Sequence, residues 1–223
     1  LLDPDWASEL RDELGWLGSS LGPARDLDVL LEHLRGEIEA LGGAGELGGL
    51  VESLEREHER ARRTVVSALS EDRYLALLDR LEDLEPKIAP DANATLGELW
   101  RDEFRRTRRA FKQLDSKSID DELHAARIKV KRVRYAAELA EHELGRRGER
   151  FVDAAKDLQD VLGEHQDAVV AEERIAAWVA GDPAREAAAA PLVVRERERR
   201  EEARSSWPDA WKKVRKRASK VRA

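Results

Sequence analysis

The residues best placed to do chemistry stand on one short stretch, His124-Ala-Ala-Arg127-Ile-Lys-Val-Lys131-Arg-Val-Arg134-Tyr135. At about 100° per residue, His124, Arg127, Lys131, Arg134 and Tyr135 fall in one arc of a helix. Leu123, Ala126, Val130, Val133 and Ala137 fall in another, the expected core face, while Lys129 and Arg132 stand to one side as further candidate phosphate contacts. The cationic row runs for about 15 Å along the axis. No carboxylate lies within it. Like charges at these spacings repel by a few tenths of a kcal/mol per pair. A helix built for stability alone would intersperse glutamates, as residues 196–202 do. Such a row is either a solvated face that pairs with acids of other helices or a docking strip for a run of phosphates. Guanidinium forks match phosphate oxygens as well as carboxylates. A protonated His124 donates from both ring nitrogens, and a neighbouring polyanion favours that state.

Other cations extend the pattern. Arg101, Arg105, Arg108 and Lys112 share a helix face, with Arg109 beside them, and an antiparallel neighbour would set them next to Arg127 and Arg134. Lys156, one turn before Gln159, and Arg25 are further candidates to meet an anion. Residues 211–223 carry Lys212, Lys213, Arg215, Lys216, Arg217, Lys220 and Arg222 without an acid, and read as a solvated or frayed tail. Asp26, Asp28 and Asp167 are expected to cap helices or to hold arginines in place behind an anion site. His33, His58, His142 and His165 read as surface or capping histidines, and the six tryptophans as core or bundle-seam residues.

The 223 residues hold 40 Lys+Arg and 47 Asp+Glu, a formal net charge of −7. The charge is uneven. Residues 1–97 carry 10 basic and 22 acidic residues, a net of −12, and the remainder has a net of +5. A local field of that kind attracts an anion that the total would repel. There is no cysteine, so disulfides, thiolate metal sites and cysteine nucleophiles are excluded. No apolar run approaches the roughly 18 residues of a membrane span, and no signal peptide opens the chain, so the expectation is a soluble, cytoplasmic protein with no membrane partner. Glu55-x-x-His58 is the one Glu-x-x-His pair, too little for a di-iron bundle, and no Gly-x-x-x-x-Gly-Lys loop occurs. Phosphate contacts without a metal-binding acid cluster or a nucleophile–base pair imply binding rather than catalysis, with no cofactor.

The elements that must carry these residues are helices. Leucines recur at three- and four-residue steps, aromatics are 5%, and alternation at period two does not persist. Helices are expected at 4–20, 23–41, 46–69, 71–84, 94–114, 118–144, 149–180, 184–205 and 208–220. Prolines mark the boundaries at Pro4, Pro86, Pro90, Pro183, Pro191 and Pro208, and Pro23 is expected to kink or restart a helix near Gly22. Five glycines from Gly42 to Gly49 mark a connection. The fold class is all-α, a helical bundle or two.

A faint repeat organises the chain. Leu21-Gly22-Pro-Ala-Arg25-Asp26-Leu-Asp28-Val29 aligns with Leu162-Gly163-Glu-His-Gln166-Asp167-Ala-Val-Val170 at an offset of 141, and Ala61-Arg62 falls opposite Ala203-Arg204. Two copies of one helical unit are the simplest account, with residues 1–92 as the first half and 93–223 as the second. The offset places a partner of the His124 helix ahead of residue 1, a basic helix expected to belong to the first half and absent from this sequence.

The pattern His-x-x-Arg-x-x-x-Lys-x-x-Arg-Tyr on a helix, followed by Leu-Gln-Asp-x-Leu-Gly-x-x-x-Asp at residues 158–167, resembles the CHAD domain, the conserved histidine α-helical domain. The segment around Arg25, Asp26 and Asp28 resembles the corresponding part of that family's first half. The resemblance implies two pseudo-symmetric helical bundles around a basic central groove or pore, binding of inorganic polyphosphate, and association with polyphosphate granules. Carried over by position, His124, Arg127, Lys131, Arg134 and Tyr135 match the histidine-helix motif, Arg25, Asp26 and Asp28 match an Arg-Asp-x-Asp motif, and Asp167 matches its second-half counterpart. Gln166 stands where the first copy has Arg25. Family members are often joined to a triphosphate tunnel enzyme marked by Glu-x-Glu-x-Lys on a strand, and that motif is absent here. The expectation is a non-catalytic, monomeric polyphosphate-binding module with a functional link to such an enzyme. A nucleic-acid-binding helical protein and a structural bundle whose basic faces serve internal salt bridges are the alternatives. Nucleic acid is the weaker partner, because exposed aromatics for base stacking are not evident and the acidic half repels a long duplex.

Overall fold

A computed structural model describes residues 3–43, 45–82, 94–115 and 118–221. Among them it contains seven α-helices and no strand: α1 Pro4–Ala40, α2 Gly48–Leu69, α3 Asp72–Glu82, α4 Leu96–Phe111, α5 Asp120–Leu139, α6 Glu141–Val179 and α7 Pro183–Ala218. None of the helices is long and apolar enough to cross a membrane. The boundaries expected at Pro86 and Pro90, the end of the 71–84 helix, and Arg222 lie outside the described residues. By contact the chain divides into two units. The first takes Leu1–Asn93 with Trp178–Leu192, and the second takes Ala94–Ala177 with Val193–Ala223.

Three prolines expected at or near helix boundaries lie inside continuous helices instead. Helices 4–20 and 23–41 are one helix, α1, with Pro23 in its interior. The clash that normally keeps a pre-proline residue out of the helical region involves that residue's Cβ, and Gly22 has none. Likewise 184–205 and 208–220 are one helix, α7, which runs through Pro191 and Pro208. There Leu192, Trp207 and Trp211 are buried beside the prolines. Burying one large apolar side chain gains about 1.5–3 kcal/mol, enough together to offset the roughly 3 kcal/mol cost of an interior proline. A break the prolines do not mark falls at Gly145, whose φ of 53° and ψ of −155° interrupt α6.

In the first unit, α1 opens on Asp3, whose carboxylate accepts from the Trp6 backbone N–H at 2.9 Å. Leu27, Leu30, Leu31, Leu34 and Ile38 of α1 are buried, as are Leu50 and Leu54 of the neighbouring α2. Gly42 and Gly43, at φ of 104° and 107°, make the turn after α1, as the glycine run leads one to expect. Trp6, Trp16 and Trp178 are only partly buried. Each is capped by an arginine, with Arg80, Arg73 and Arg185 lying 5.5, 4.4 and 5.1 Å from the respective rings.

The second unit is built around an aromatic cluster. Phe111 of α4 stacks on Trp211 of α7 at 4.1 Å, and Trp100 meets Phe151 of α6 edge-on at 5.1 Å. Leu123, Ala126, Val130, Val133 and Ala137 of α5 all face this core, as their spacing predicts. The start of α4 is fully capped. Thr95 and Glu98 exchange backbone–side-chain hydrogen bonds at 3.0 and 3.1 Å, and Glu143 accepts from Leu96 and Gly97 N–H at 3.0 and 2.9 Å. Those backbone donors, Gly97 first, hold the Glu143 carboxyl below its ordinary pKa.

Candidate anion-binding site

With its apolar arc buried, α5 presents the cationic arc at the edge of the core, which half-buries His124, Arg127 and Arg134 and leaves Lys131 and Tyr135 exposed. Arg127 lies over α6 at Gly163, where an added Cβ would stand 3.8 Å from Arg127 Nε. Arg127 Nε and His124 Nδ1 are buried atoms with no hydrogen-bond partner among the described residues. A buried donor left unpaired costs on the order of 1–3 kcal/mol. The helix tolerates two, side by side on one face.

Arg134 is held differently. Its Nε donates to Gln159 Oε1 of α6 at 3.0 Å, and its Nη1 donates to Glu138 one turn further along α5. The row itself holds no acid, but its C-terminal end is paired. The Arg134 guanidinium also lies 4.5 Å from the Tyr135 ring, and Lys131 Nζ lies 5.8 Å from the same ring. Tyr135 thus braces two cations from beneath. Lys156 is exposed on α6, one turn before Gln159. Lys129 is half-buried and Arg132 exposed on α5. The Lys129 backbone carbonyl accepts from Thr107 Oγ1 of α4 at 3.4 Å.

The α4 cations have several different surroundings. Thr107 of α4 faces α5, whereas Phe104 and Phe111 meet Trp211 of α7. Arg108 and Lys112 flank that aromatic side, and they line the α4/α7 surface with Arg215. Arg105 pairs with Asp102. Arg101 lies close enough to Glu143 to lower its pKa further. Arg109 is exposed. A heptad count fixes which α4 residues share a face, but not which neighbour that face meets.

In the first unit Arg25 is exposed on α1. Asp26 is exposed as well. Asp28 engages a histidine rather than an arginine, with its carboxylate 2.7 Å from His58 Nε2. Asp167 is half-buried on α6.

His165 is the polar residue that its sequence context conceals. Read as a surface or capping histidine, it is 1% exposed. Its Nε2 lies 3.2 Å from the Asp120 carboxylate at the start of α5 and 3.4 Å from Arg204 Nη2 of α7. Arg204 also donates to the Ser118 carbonyl and to Asp120, and Arg200 approaches Asp120 at 3.7 Å. Burial pushes the imidazole below its ordinary pKa of 6.5, Asp120 opposes that shift, and Arg204 and Arg200 reinforce it. Arg204, opposite Arg62 in the repeat, was the available signal. This cluster clamps the α5 N-terminus, and with it the cationic strip, to α6 and α7. Among the described residues no group of three or more His, Cys, Asp or Glu is placed to hold a metal ion.

Comparison with known proteins agrees with this architecture. The family model of the CHAD domain matches residues 1–176. Two uncharacterized proteins of Mycobacterium tuberculosis strains are each 33% identical over 180 residues, a match covering 74% of this chain and 33% of theirs. The chain therefore spans about a third of the length of the curated relatives it matches. Among solved structures, PptA from Streptomyces chartreusis superposes with a TM-score of 0.78 at 25% identity, over 95% of this chain and 82% of that one.

Proposed function

Since the chain belongs to the CHAD domain family, we propose that it binds inorganic polyphosphate along the α5 strip, without catalysis, and that this binding directs it to polyphosphate granules. The observation that carries the reading is the pair of buried, unpartnered nitrogens, Arg127 Nε and His124 Nδ1, in line with exposed Lys131 and braced Arg134. Arg204, by contrast, spends its donors on Asp120 and the Ser118 carbonyl. The strip supplies positive donors but no nucleophile beside a base, which suits capture rather than cleavage. Arg25 on α1 and Lys156 on α6 are proposed as further phosphate contacts, and residues 1–92 and 93–223 as the two halves of an internal repeat.

Reversing Arg127 and Lys131 to glutamate tests the reading. Neither residue has an ion-pair partner among the described residues, so the double variant folds with a helical spectrum unchanged. Its affinity for long-chain polyphosphate falls at least 100-fold. Wild-type affinity in the folded variant would place the ligand elsewhere. An RNA oligomer that displaces polyphosphate at equal phosphate concentration would make nucleic acid the ligand.

A further inference from the structure

The cations of α4 and the end of α7 form a second groove, separate in its residues from the α5 strip. Its floor is apolar, with Phe104 from α4, and Pro208, Trp211 and Ala218 from α7. Its rim is cationic, with Arg108 and Lys112 on one side and Lys212, Arg215 and Lys216 on the other. One acid, Asp209, lines it. None of the five cations forms an ion pair among the described residues, in contrast to Arg105 and Arg106, which turn to Asp102 and Glu103. The main cavity measures about 860 Å³, and a smaller one of about 230 Å³ continues it past Arg108, Pro208, Trp211 and Arg215. Phe111 stacked on Trp211 holds the two helices together beneath it.

We infer that this α4/α7 groove is a second binding site for a linear phosphate polyanion, independent of the α5 strip. The choice of ligand rests on the polyphosphate reading of the strip; the site itself rests on the groove. A cleft with one sign of charge on its rim and low-dielectric walls concentrates the field along its length. Lys212, Arg215, Lys216 and Ser219 recur at the three- and four-residue steps that put them on one face of α7. Arg108 and Lys112 do the same on α4. A linear polyanion meets cations from both sides. Trp207 and Trp211 are 4% and 7% exposed. Their ring faces are therefore not offered to bases, and the groove reads phosphates and not nucleobases. The basic run at the end of the chain, which reads as a solvated tail in sequence, becomes a wall of this groove.

Backbone amide spectra of the intact chain, titrated with inorganic tripolyphosphate, test the inference. Two sets of resonances are expected to move, one over residues 124–134 and one over 104–112 and 208–219 that includes the Trp211 indole. In Lys212→Glu/Arg215→Glu/Lys216→Glu the second set weakens at least tenfold in midpoint while the first is unchanged. The milder Arg108→Gln/Lys112→Gln, which keeps the aliphatic stems, weakens the second set three- to tenfold. Movement confined to residues 124–134, or a second set whose midpoint stays within twofold in both variants, overturns the groove and leaves the strip standing. Movement confined to the second set supports the groove and overturns the strip. Tighter occupation of the groove by an RNA oligomer of equal phosphate number overturns the ligand assignment.

Discussion

Arg127 lies where it does because Gly163 leaves room. A Cβ there makes ordinary contact with Arg127 Nε at 3.8 Å. Gly163→Ala is therefore expected to keep polyphosphate affinity within about twofold and to gain up to about 1 kcal/mol of helix stability. Gly163→Leu fills the space the guanidinium uses. It should cut affinity about tenfold with the fold intact, read by titration beside a thermal melt. Gly148 is stricter, since a Cβ there would stand 2.5 Å from Leu144 Cβ. Gly148→Ala is expected to cost about 1–3 kcal/mol in chemical denaturation, the range for overpacking a tight core. His165 adds a pH dependence. Its folded pKa is lowered, so the unfolded chain binds more protons wherever the pH is below about 7. Its contribution is complete above the ordinary value of 6.5 and is lost as pH falls through that value toward the folded one. The slope reaches at most about 1.4 kcal/mol per pH unit. His165→Gln should remove this part of the acid slope, and a wild-type slope unchanged by the substitution would contradict the clamp.

At the scale of elements, the faces of α5 were legible and its neighbours were not. Period-3.6 spacing separated Leu123, Ala126, Val130, Val133 and Ala137 from the cationic arc, and the core contains those five. The same arithmetic grouped Arg101, Arg105, Arg108 and Lys112, but the partner of that face depends on Phe111 stacking on Trp211, a contact across about a hundred residues of chain. Pro23, Pro191 and Pro208 misled for a related reason. Proline is a local signal, and glycine beside it or burial around it decides whether the helix continues. Four of the five histidines gave a fair local reading or none at all. His165 sits between Glu164 and Gln166, and only the approach of Asp120 and Arg204 from distant helices shows it to be buried. Since Trp211 joins α4 to α7, Trp211→Ala is expected to cost about 3–5 kcal/mol and to loosen both walls of the second groove. Amide exchange in α4 should then rise ahead of exchange in α5.

For the whole chain, the total of −7 is the sum of an acidic stretch and a basic one. The acidic stretch discourages indiscriminate polyanion binding, and the basic one supplies the local field that a narrow phosphate chain can follow. The proposed polyphosphate binding is electrostatic capture by a few cations of α5. Three of them, Arg127, Lys131 and Arg134, would displace counterions with a combined slope of about −2 in log affinity against log salt, by analogy with single-stranded nucleic acids. The most direct test is a titration with long-chain inorganic polyphosphate at two salt concentrations. Tight binding is expected at about 50 mM salt, weakening about 20-fold by about 200 mM. No binding at the lower salt, or binding that does not respond to salt, would contradict it.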